Sequence, residues 1–178
     1  MHCTVVGGIT FLQGVAMSMQ QAEQDRIFLE RAVELAHQNI KTVSGGPFGA
    51  VVVDEGRVLA EGANRVVADC DPTAHAEVVA LRKAAALKGS PHLEGCTLYA
   101  SCEPCPMCLA SAYWAHIGRI VFAQSREDAE AMGFSDAELY EQVPLPPGKR
   151  SLRCERLELP RARDLITAWK DSEGKRPY

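Results

Sequence analysis

Four side chains in the middle of this chain have the types and the spacing of a metal-dependent hydrolytic site. The sequence contains His-x-Glu and later Pro-Cys-x-x-Cys, and the four residues are His75, Glu77, Cys105 and Cys108. One imidazole and two thiolates are the ligands of a catalytic zinc site whose fourth tetrahedral position is left to water. Glu77 is then a carboxylate beside the metal that is not needed as a ligand. We expect it to act on that water as a general base and afterwards as a general acid.

Both halves of this pattern are expected at the first turn of a helix. Asp71 or Thr73 is the expected N-cap of the first helix, so that His75 and Glu77 fall in or near its first turn. Cys105 opens a second apolar helical run. Side chains at a helix tip can converge on a point beyond it, and the positive end of the helix dipole favours thiolates. The sequence therefore predicts one metal between two helix N-termini.

The cysteines have other interpretations when they are taken alone. A Cys-x-x-Cys pair also occurs in structural zinc sites and in redox pairs. Cys102, Cys105 and Cys108 together resemble part of a ferredoxin cluster motif, which requires a cysteine at position 112, where this chain has Ala112. The preceding His-x-Glu pattern favours the catalytic zinc site over these alternatives.

The composition is that of one globular domain, and it leaves small uncharged substrates open. The chain has 178 residues, of which 47% are hydrophobic and 24% charged, and its net charge is −4. An acidic balance argues against binding to nucleic acid. Seven cysteines, an odd number, do not suggest a secreted disulfide framework, so we expect a reducing, cytoplasmic location without a membrane partner.

The predicted domain organisation is simple. Residues 1–22 are expected to be a flexible N-terminal extension, since their apolar part lacks the Lys or Arg of a signal peptide and is too broken to span a bilayer. Residues 23–178 are expected to form a single domain.

Apolar periodicity predicts an α/β fold. The expected strands cover residues 48–53, 57–62, 96–100 and 119–123, with an outer strand at 152–159. The expected helices cover residues 21–38, the two metal-binding segments and 161–170. Alternation of strands and helices predicts a three-layer α-β-α sandwich with a central mixed sheet of about five strands.

The motifs resemble those of a known family. Together they are similar to the bacterial guanine deaminases of the cytidine-deaminase-like superfamily, over most of residues 24–178. The similarity is carried by residues 45–77, the Ser-Cys-Glu-Pro-Cys-Pro-Met-Cys block, Tyr113-Trp114-Ala115, Gly133-Phe134 and Tyr178. The resemblance implies a Zn²⁺ cofactor and hydrolysis of the exocyclic C–N bond of guanine, a cyclic amidine, to give xanthine and ammonia. Water activated by zinc would attack C2 while Glu77 transfers its proton.

The resemblance also implies substrate-binding and catalytic side chains outside the metal motif. Phe48 would stack on the purine, Asn64 would hydrogen-bond its polar edge, and Asp136 would be a second proton shuttle. The structural alternatives are a core position for Phe48, a turn for Asn64 and a helix cap for Asp136. Ser135 departs from the acidic residue that the family pattern would have there.

Two further residues are implied near the pocket. Trp114 is expected in the core close to the substrate. In the family the C-terminal segment closes the pocket of the partner subunit, so the resemblance implies a homodimer, possibly domain-swapped, in which Tyr178 caps the neighbouring site. On the sequence alone, a charged tail of this kind is more often frayed.

Three other functions share part of this pattern. A tRNA adenosine deaminase would use the same zinc motif but would be expected to carry a basic surface. A cytosine or cytidine deaminase would differ in the size of its pocket. A non-catalytic, zinc-stabilised binding module would be expected to fill the fourth zinc position with a protein ligand, which leaves Glu77 unexplained.

Overall fold

The computed structural model describes residues 11–176. This part of the chain contains four strands, seven helices and a short 3₁₀ turn at Pro147–Lys149. The strands are β1 Gly49–Asp54, β2 Arg57–Ala63, β3 Thr97–Cys102 and β4 Arg119–Gln124. The helices are α1 Phe11–Thr42, α2 Val66–Asp69, α3 Ala76–Lys88, α4 Pro106–Trp114, α5 Arg126–Ala131, α6 Ala137–Gln142 and α7 Pro160–Asp171.

The strands form one mixed sheet in the order β2-β1-β3-β4. β1 is antiparallel to both β2 and β3, and a tight turn joins β1 to β2. β3 and β4 are parallel, since α4 returns the chain to the starting edge of the sheet between them. The carboxyl end of β3 therefore leads directly to the Cys-x-x-Cys segment.

Helices cover both faces of this sheet, as the predicted three-layer sandwich requires. Val51 and Tyr99 point to one face and pack with Ala32 of α1. Val52 follows Val51 in β1 and pairs with Leu98 in β3. Both side chains point to the other face, where α3 and α4 pack. Successive strand residues face opposite ways, which is why such strands are almost continuously apolar.

A glycine sets the position of the first metal-binding helix. A Cβ atom added at Gly62 in β2 would lie only 2.2 Å from the backbone oxygen of Ala76, the first residue of α3. The helix start therefore packs against bare strand backbone, a close approach that only glycine permits. This contact fixes the height of the His75–Glu77 segment above the sheet.

The prediction of about five strands is wrong, because the sheet of the described region has four. Residues 152–159, expected as an outer strand, have no strand assignment. Their leucines are largely exposed, with Leu152 at 76% and Leu157 at 82%. Alternation produces a strand only where a neighbouring strand edge pairs with the backbone, and here the segment is paired with neither edge strand.

The first helix is longer than the sequence indicated. It begins at Phe11, ahead of the expected start at residue 21, so part of the segment assigned to the extension is helical. Residues 1–10 lie outside the described region, and a flexible extension there stays a prediction. No helix within residues 11–176 combines the length and the apolar character needed to cross a bilayer.

A half-buried ion pair connects α1 to the sheet. The Asp25 carboxylate accepts hydrogen bonds from the Tyr99 hydroxyl, at 2.7 Å, and from the Arg119 guanidinium. The hydrogen bonds from Arg119 are the main reason that the pKa of Asp25 lies well below its usual value. Burial and the Asp25 carboxylate together raise the pKa of Tyr99 to about 12. One charged group thus joins α1, β3 and β4.

Asp25→Asn is expected to lower the free energy of unfolding at pH 7 by about 2–3 kcal/mol, because it removes the charge to which Tyr99, Arg119 and Gln21 donate. The folded-state pKa of Asp25 is depressed, so its contribution is complete above the unfolded pKa of about 3.9 and is lost progressively as the pH falls below it. Urea unfolding of both proteins from pH 7 to pH 3 should show the difference shrinking in acid. Glu23→Gln, an exposed acid on the same helix, is the control and should change little.

Candidate active site

His75 lies at the junction between a turn and the first metal-binding helix. It occupies the N-cap position of α3, and Glu77 is the second residue of that helix. The expectation that Asp71 or Thr73 would be the cap is wrong. The Asp71 carboxylate instead accepts hydrogen bonds from the Thr73 backbone NH, at 2.8 Å, and from its hydroxyl, at 2.7 Å. This local turn satisfies Asp71 before the helix begins, and the helix therefore starts later.

The two cysteines occupy the equivalent place on the second helix. Cys105 is the N-cap of α4, Pro106 is its first residue, and Cys108 lies in the first turn. Proline suits this position because the first helical NH groups have no partner within the helix. The structure thus places the two ligand segments at two helix N-termini.

The three side chains are close enough to share one metal ion. Nδ1 of His75 lies 3.6 Å from Sγ of Cys105 and 3.5 Å from Sγ of Cys108. Tetrahedral zinc with bonds of about 2.3 Å to sulfur and about 2.0 Å to nitrogen would separate those atoms by about 3.5 Å. One donor atom from each residue lies within 4.8 Å of the others. The donor set and its spacing therefore fit zinc.

The pKa values of the two thiols also suit a zinc site. A hydrogen bond from Cys108 lowers the pKa of Cys105 to about 4. The pKa of Cys108 is raised, first because losing its proton would break that bond and then because its site is buried. The hydrogen bond between the two sulfurs therefore favours the thiolate at Cys105 and the thiol at Cys108. A divalent cation in the same place would favour both thiolates.

Glu77 is a buried carboxyl group beside the ligands. Its side chain is only 7% exposed, and burial is the main cause that raises its pKa. It does not belong to the three-residue ligand cluster found within residues 11–176. A carboxyl group that is not a ligand and whose pKa is raised toward neutrality is suited to take up and return a proton.

A cavity of about 340 Å³ opens over this cluster. Its walls include His75, Glu77 and Cys105 together with three side chains that the sequence analysis assigned to substrate or proton transfer, namely Phe48, Asn64 and Asp136. The structure thus brings most of the expected site residues to one concave surface.

An aromatic pair forms one wall of the cavity. The rings of Phe48 and Phe134 meet edge to face, with centroids 5.1 Å apart and planes at 80°. Phe48 also packs against the core, so its core and pocket interpretations both apply. Phe134 was not expected as a site residue. Its place in the Gly133-Phe134 motif, just before Asp136, was the available signal.

Asn64 both lines the cavity and organises its rim. Its Oδ1 atom accepts hydrogen bonds from the backbone NH groups of Gly46, at 3.2 Å, and Val66, at 3.1 Å. Its own backbone carbonyl accepts from Nδ2 of the buried Asn39, at 2.9 Å. Asn64 therefore both shapes a turn and lines the pocket. Asn39 was not singled out, since an Asn within a helical pattern gives no signal of this role.

Asp136 lines the cavity and is also the N-cap residue of α6. It precedes α6, but its side chain makes no capping hydrogen bond to that helix. Burial is the main cause that raises its pKa, and the negative charge of Cys105 adds to the effect. The carboxyl group therefore remains available to the cavity.

One expected substrate-binding residue of the described region is not brought into the cavity. Trp114 does not line it and is 64% exposed, so the expectation that Trp114 lies in the core is wrong within this chain. The buried residues of α4 are Cys108 and Ala112, and Trp114 lies about 200° around the helix from Ala112. Tyr178 lies outside the described residues.

Several cavity residues had not been expected. Ser101 and Cys102 are the last two residues of β3, Glu103 follows them, and Arg126 begins α5. The Arg126 guanidinium lies 4.9 Å from the centre of the Tyr140 ring. In sheets of this kind, sites form at the carboxyl ends of the strands. This rule applies to Cys105 and equally to the residues immediately before Cys105.

A buried carboxyl group beside a His-Cys-Cys ligand cluster, on an α-β-α fold and under a small cavity, defines a zinc-dependent hydrolase. Residues 22–124 match the family model for the cytidine and deoxycytidylate deaminase zinc-binding region. The chain belongs to that family, and zinc is its cofactor.

The similar proteins agree with the family resemblance. Guanine deaminase of Bacillus subtilis (strain 168) is 42% identical over 151 residues, which are 85% of this chain and 97% of that protein. The crystal structure of guanine deaminase from Bacillus subtilis covers 86% of this chain and 98% of its own, with a TM-score of 0.84. The chain is thus a homologue of bacterial guanine deaminase, as expected from its motifs.

Two more distant relatives show the range of the family. A structure of guanine deaminase from Nitrosomonas europaea is 36% identical, covers 62% of this chain and 64% of its own, and has a TM-score of 0.59. The tRNA-specific adenosine deaminase of Haemophilus influenzae is 34% identical over 140 residues, which are 75% of this chain and 80% of that protein.

Proposed function

We propose that this protein hydrolyses guanine to xanthine and ammonia. The observation that carries the proposal is the position of Glu77, a buried carboxyl group at the base of a cavity that it shares with the zinc ligands. Similarity to guanine deaminase over nearly the whole length of that relative supports the choice of substrate.

Proton transfer by Glu77 is the central step of the mechanism. His75, Cys105 and Cys108 would hold the zinc ion, which would supply a water molecule whose pKa is lowered to about 7. Glu77 takes a proton from this water as its oxygen bonds to C2 of guanine. The carboxyl group then gives that proton to the ring nitrogen beside C2. The amino group takes up a further proton and leaves as ammonia as the C2–N bond breaks, while the new hydroxyl on C2 gives its proton to the Glu77 carboxylate and becomes the carbonyl of xanthine.

Asp136 is proposed as the second proton carrier. It faces the cavity without a capping role, and its raised pKa keeps a proton available nearer to neutral pH. We place it where it protonates the departing amino group. Glu77 and Asp136 would then divide the proton transfers between the ring and the leaving group.

Phe48 and Asn64 are proposed to orient the purine. The Phe48 ring is held by its edge contact with Phe134 and presents an apolar surface to a flat base. Asn64 is fixed by its backbone contacts, so its amide presents polar groups at a defined place. Binding of the free base requires no nucleic-acid partner.

The assay for this proposal measures ammonia release by the zinc-loaded protein from a panel of substrates. The panel contains guanine, adenine, cytosine, the corresponding nucleosides and tRNA. We expect guanine to be converted most efficiently and xanthine to appear in equal amount. Preferred turnover of tRNA or of cytosine would instead assign the alternative activities of this family.

The protein is also proposed to act as a homodimer. Leu165, Ile166 and Trp169 of α7 are 71%, 60% and 55% exposed in the single chain. Their spacing places them along one side of the helix, and such an apolar side is typical of a surface that meets a partner. The family resemblance adds that this C-terminal segment crosses to the other subunit.

Deletion of residues 176–178 is expected to abolish guanine turnover and to leave the zinc content unchanged, because Tyr178 would close the partner's pocket. Metal analysis and a turnover assay on the same preparation check this result. Sedimentation of the full chain should show a dimer. A truncated protein with normal turnover would remove the capping role from Tyr178.

A cytoplasmic location is proposed because the site requires reduced thiols. The cysteines at positions 70, 96, 102, 105, 108 and 154 are all free. Zinc binding needs Cys105 and Cys108 as thiolates, which a reducing compartment preserves.

A further inference from the structure

A second cluster of potential metal ligands lies far from the active site. His92 and Glu94 are in the connection from α3 to β3, and His116 is in the connection from α4 to β4. One donor atom from each lies within 4.8 Å of the others. Both connections precede parallel strands, whereas the zinc ligand Cys105 follows the carboxyl end of β3. A strand of six residues separates the two sites by about 20 Å.

The backbone around this cluster is held by hydrogen bonds between the two connections. The NH of Leu93 donates to the oxygen of Ala115 at 2.7 Å, and the NH of Gly118 donates to the oxygen of Cys96 at 3.0 Å. The NH of His92 donates to the hydroxyl of Ser90 at 3.1 Å. The two histidines therefore come from different connections whose backbones are held together before any ligand binds, while their rings remain free to turn.

An imidazole nitrogen in this cluster has no partner. Nε2 of His92 is buried and makes no hydrogen bond among the described residues. Buried polar atoms nearly always have a partner, and exceptions point to a missing ion or water. The His92 and His116 rings stack with centroids 4.4 Å apart and planes at 7°, and Nδ1 of His116 lies 3.4 Å from Oε1 of Glu94.

We propose that His92, Glu94 and His116 bind a second divalent transition-metal ion of the class that includes Zn²⁺ and Ni²⁺. Two imidazoles and a carboxylate suit these cations, and water would complete the coordination. The lone pairs of imidazole lie in the ring plane, so binding rotates the two rings out of their parallel stack. The ion joins the connections before β3 and β4, and it plays no part in turnover.

The test uses protein without a polyhistidine tag, loaded with one zinc per chain and titrated calorimetrically with Ni²⁺. We expect one further equivalent to bind and the melting temperature to rise. His92→Gln and His116→Gln should each weaken this binding by at least about 100-fold, since even outer-shell changes cost 10- to 100-fold. His37→Gln removes an exposed histidine of α1 and serves as the matched control with unchanged binding.

The outcomes separate this site from the proposed function. Zinc content and guanine turnover of the His116→Gln variant should equal those of the wild type, which also shows that the variant folds. Glu94→Gln should weaken Ni²⁺ binding as well, and its side chain is exposed, so folding is not at risk. Absence of a second equivalent in the wild type, or equal binding by the histidine variants, would overturn the proposal whatever the result with guanine.

Discussion

Glu77→Gln is expected to keep its zinc and to lose guanine turnover by roughly 10⁴-fold, the upper range for a general acid–base group. Glutamine preserves the size of the side chain at this buried position but cannot accept and return a proton. The ligand cluster of His75, Cys105 and Cys108 does not include Glu77, so the metal should stay bound. Steady-state kinetics and metal analysis on one preparation give both quantities.

The matched control is Glu61→Gln. It neutralises a carboxylate on the edge strand β2 that forms an ion pair with Arg31 of α1. It should retain its zinc and normal turnover. Near-normal turnover of Glu77→Gln would show that another group moves the proton. Loss of zinc from this variant would instead make Glu77 a ligand, and the site would then resemble a structural one.

The second large effect is expected for Cys105→Ser, which should lose both zinc and activity. Serine is close to cysteine in size, but its hydroxyl does not ionise near neutral pH, whereas the pKa of Cys105 lies at about 4. Zinc should fall from about one equivalent per chain to nearly none. Inductively coupled plasma mass spectrometry after dialysis measures this change directly.

Two other cysteines test the ligand assignment. Cys70 is exposed and does not belong to the ligand cluster, so Cys70→Ser should keep both its zinc and its turnover. Cys102 lines the cavity, but its thiol donates to the backbone oxygen of Ser125 at 3.2 Å. Cys102→Ser should therefore keep the metal. Loss of metal from Cys102→Ser with retention by Cys105→Ser would contradict the assigned ligand set.

The parts of the site that the sequence predicted are those in which chemistry restricts the residue types. A catalytic zinc site needs specific ligands, and a helix N-terminus brings residues two or three apart to one point, so His75 and Cys105 could be placed from spacing alone. The N-cap residue of α3 could not be predicted in this way. Asp71 has the right residue type, but its hydrogen bonds to Thr73 form a separate turn before the helix.

The errors arise where the outcome depends on contacts between distant segments. Apolar and charged residues alternate in residues 152–155 and 157–159 as in a strand, but no sheet edge pairs with this segment in the described chain. Trp114 is apolar, yet it lies on the side of α4 opposite the buried Cys108 and Ala112. The cluster of His92, Glu94 and His116 gave no sequence signal, because its two connections meet only through the parallel pairing of β3 and β4.

X-ray absorption at the zinc edge, on protein loaded with one zinc per chain, tests the central claim most directly. Ligation by one histidine, two cysteines and water predicts two sulfur neighbours at about 2.3 Å and two nitrogen or oxygen neighbours at about 2.0–2.1 Å. Addition of a guanine analogue should change the nitrogen and oxygen shell and leave the sulfur shell as it was. Three or four sulfur neighbours, or a nitrogen and oxygen shell that the analogue leaves unchanged, would contradict an open catalytic position.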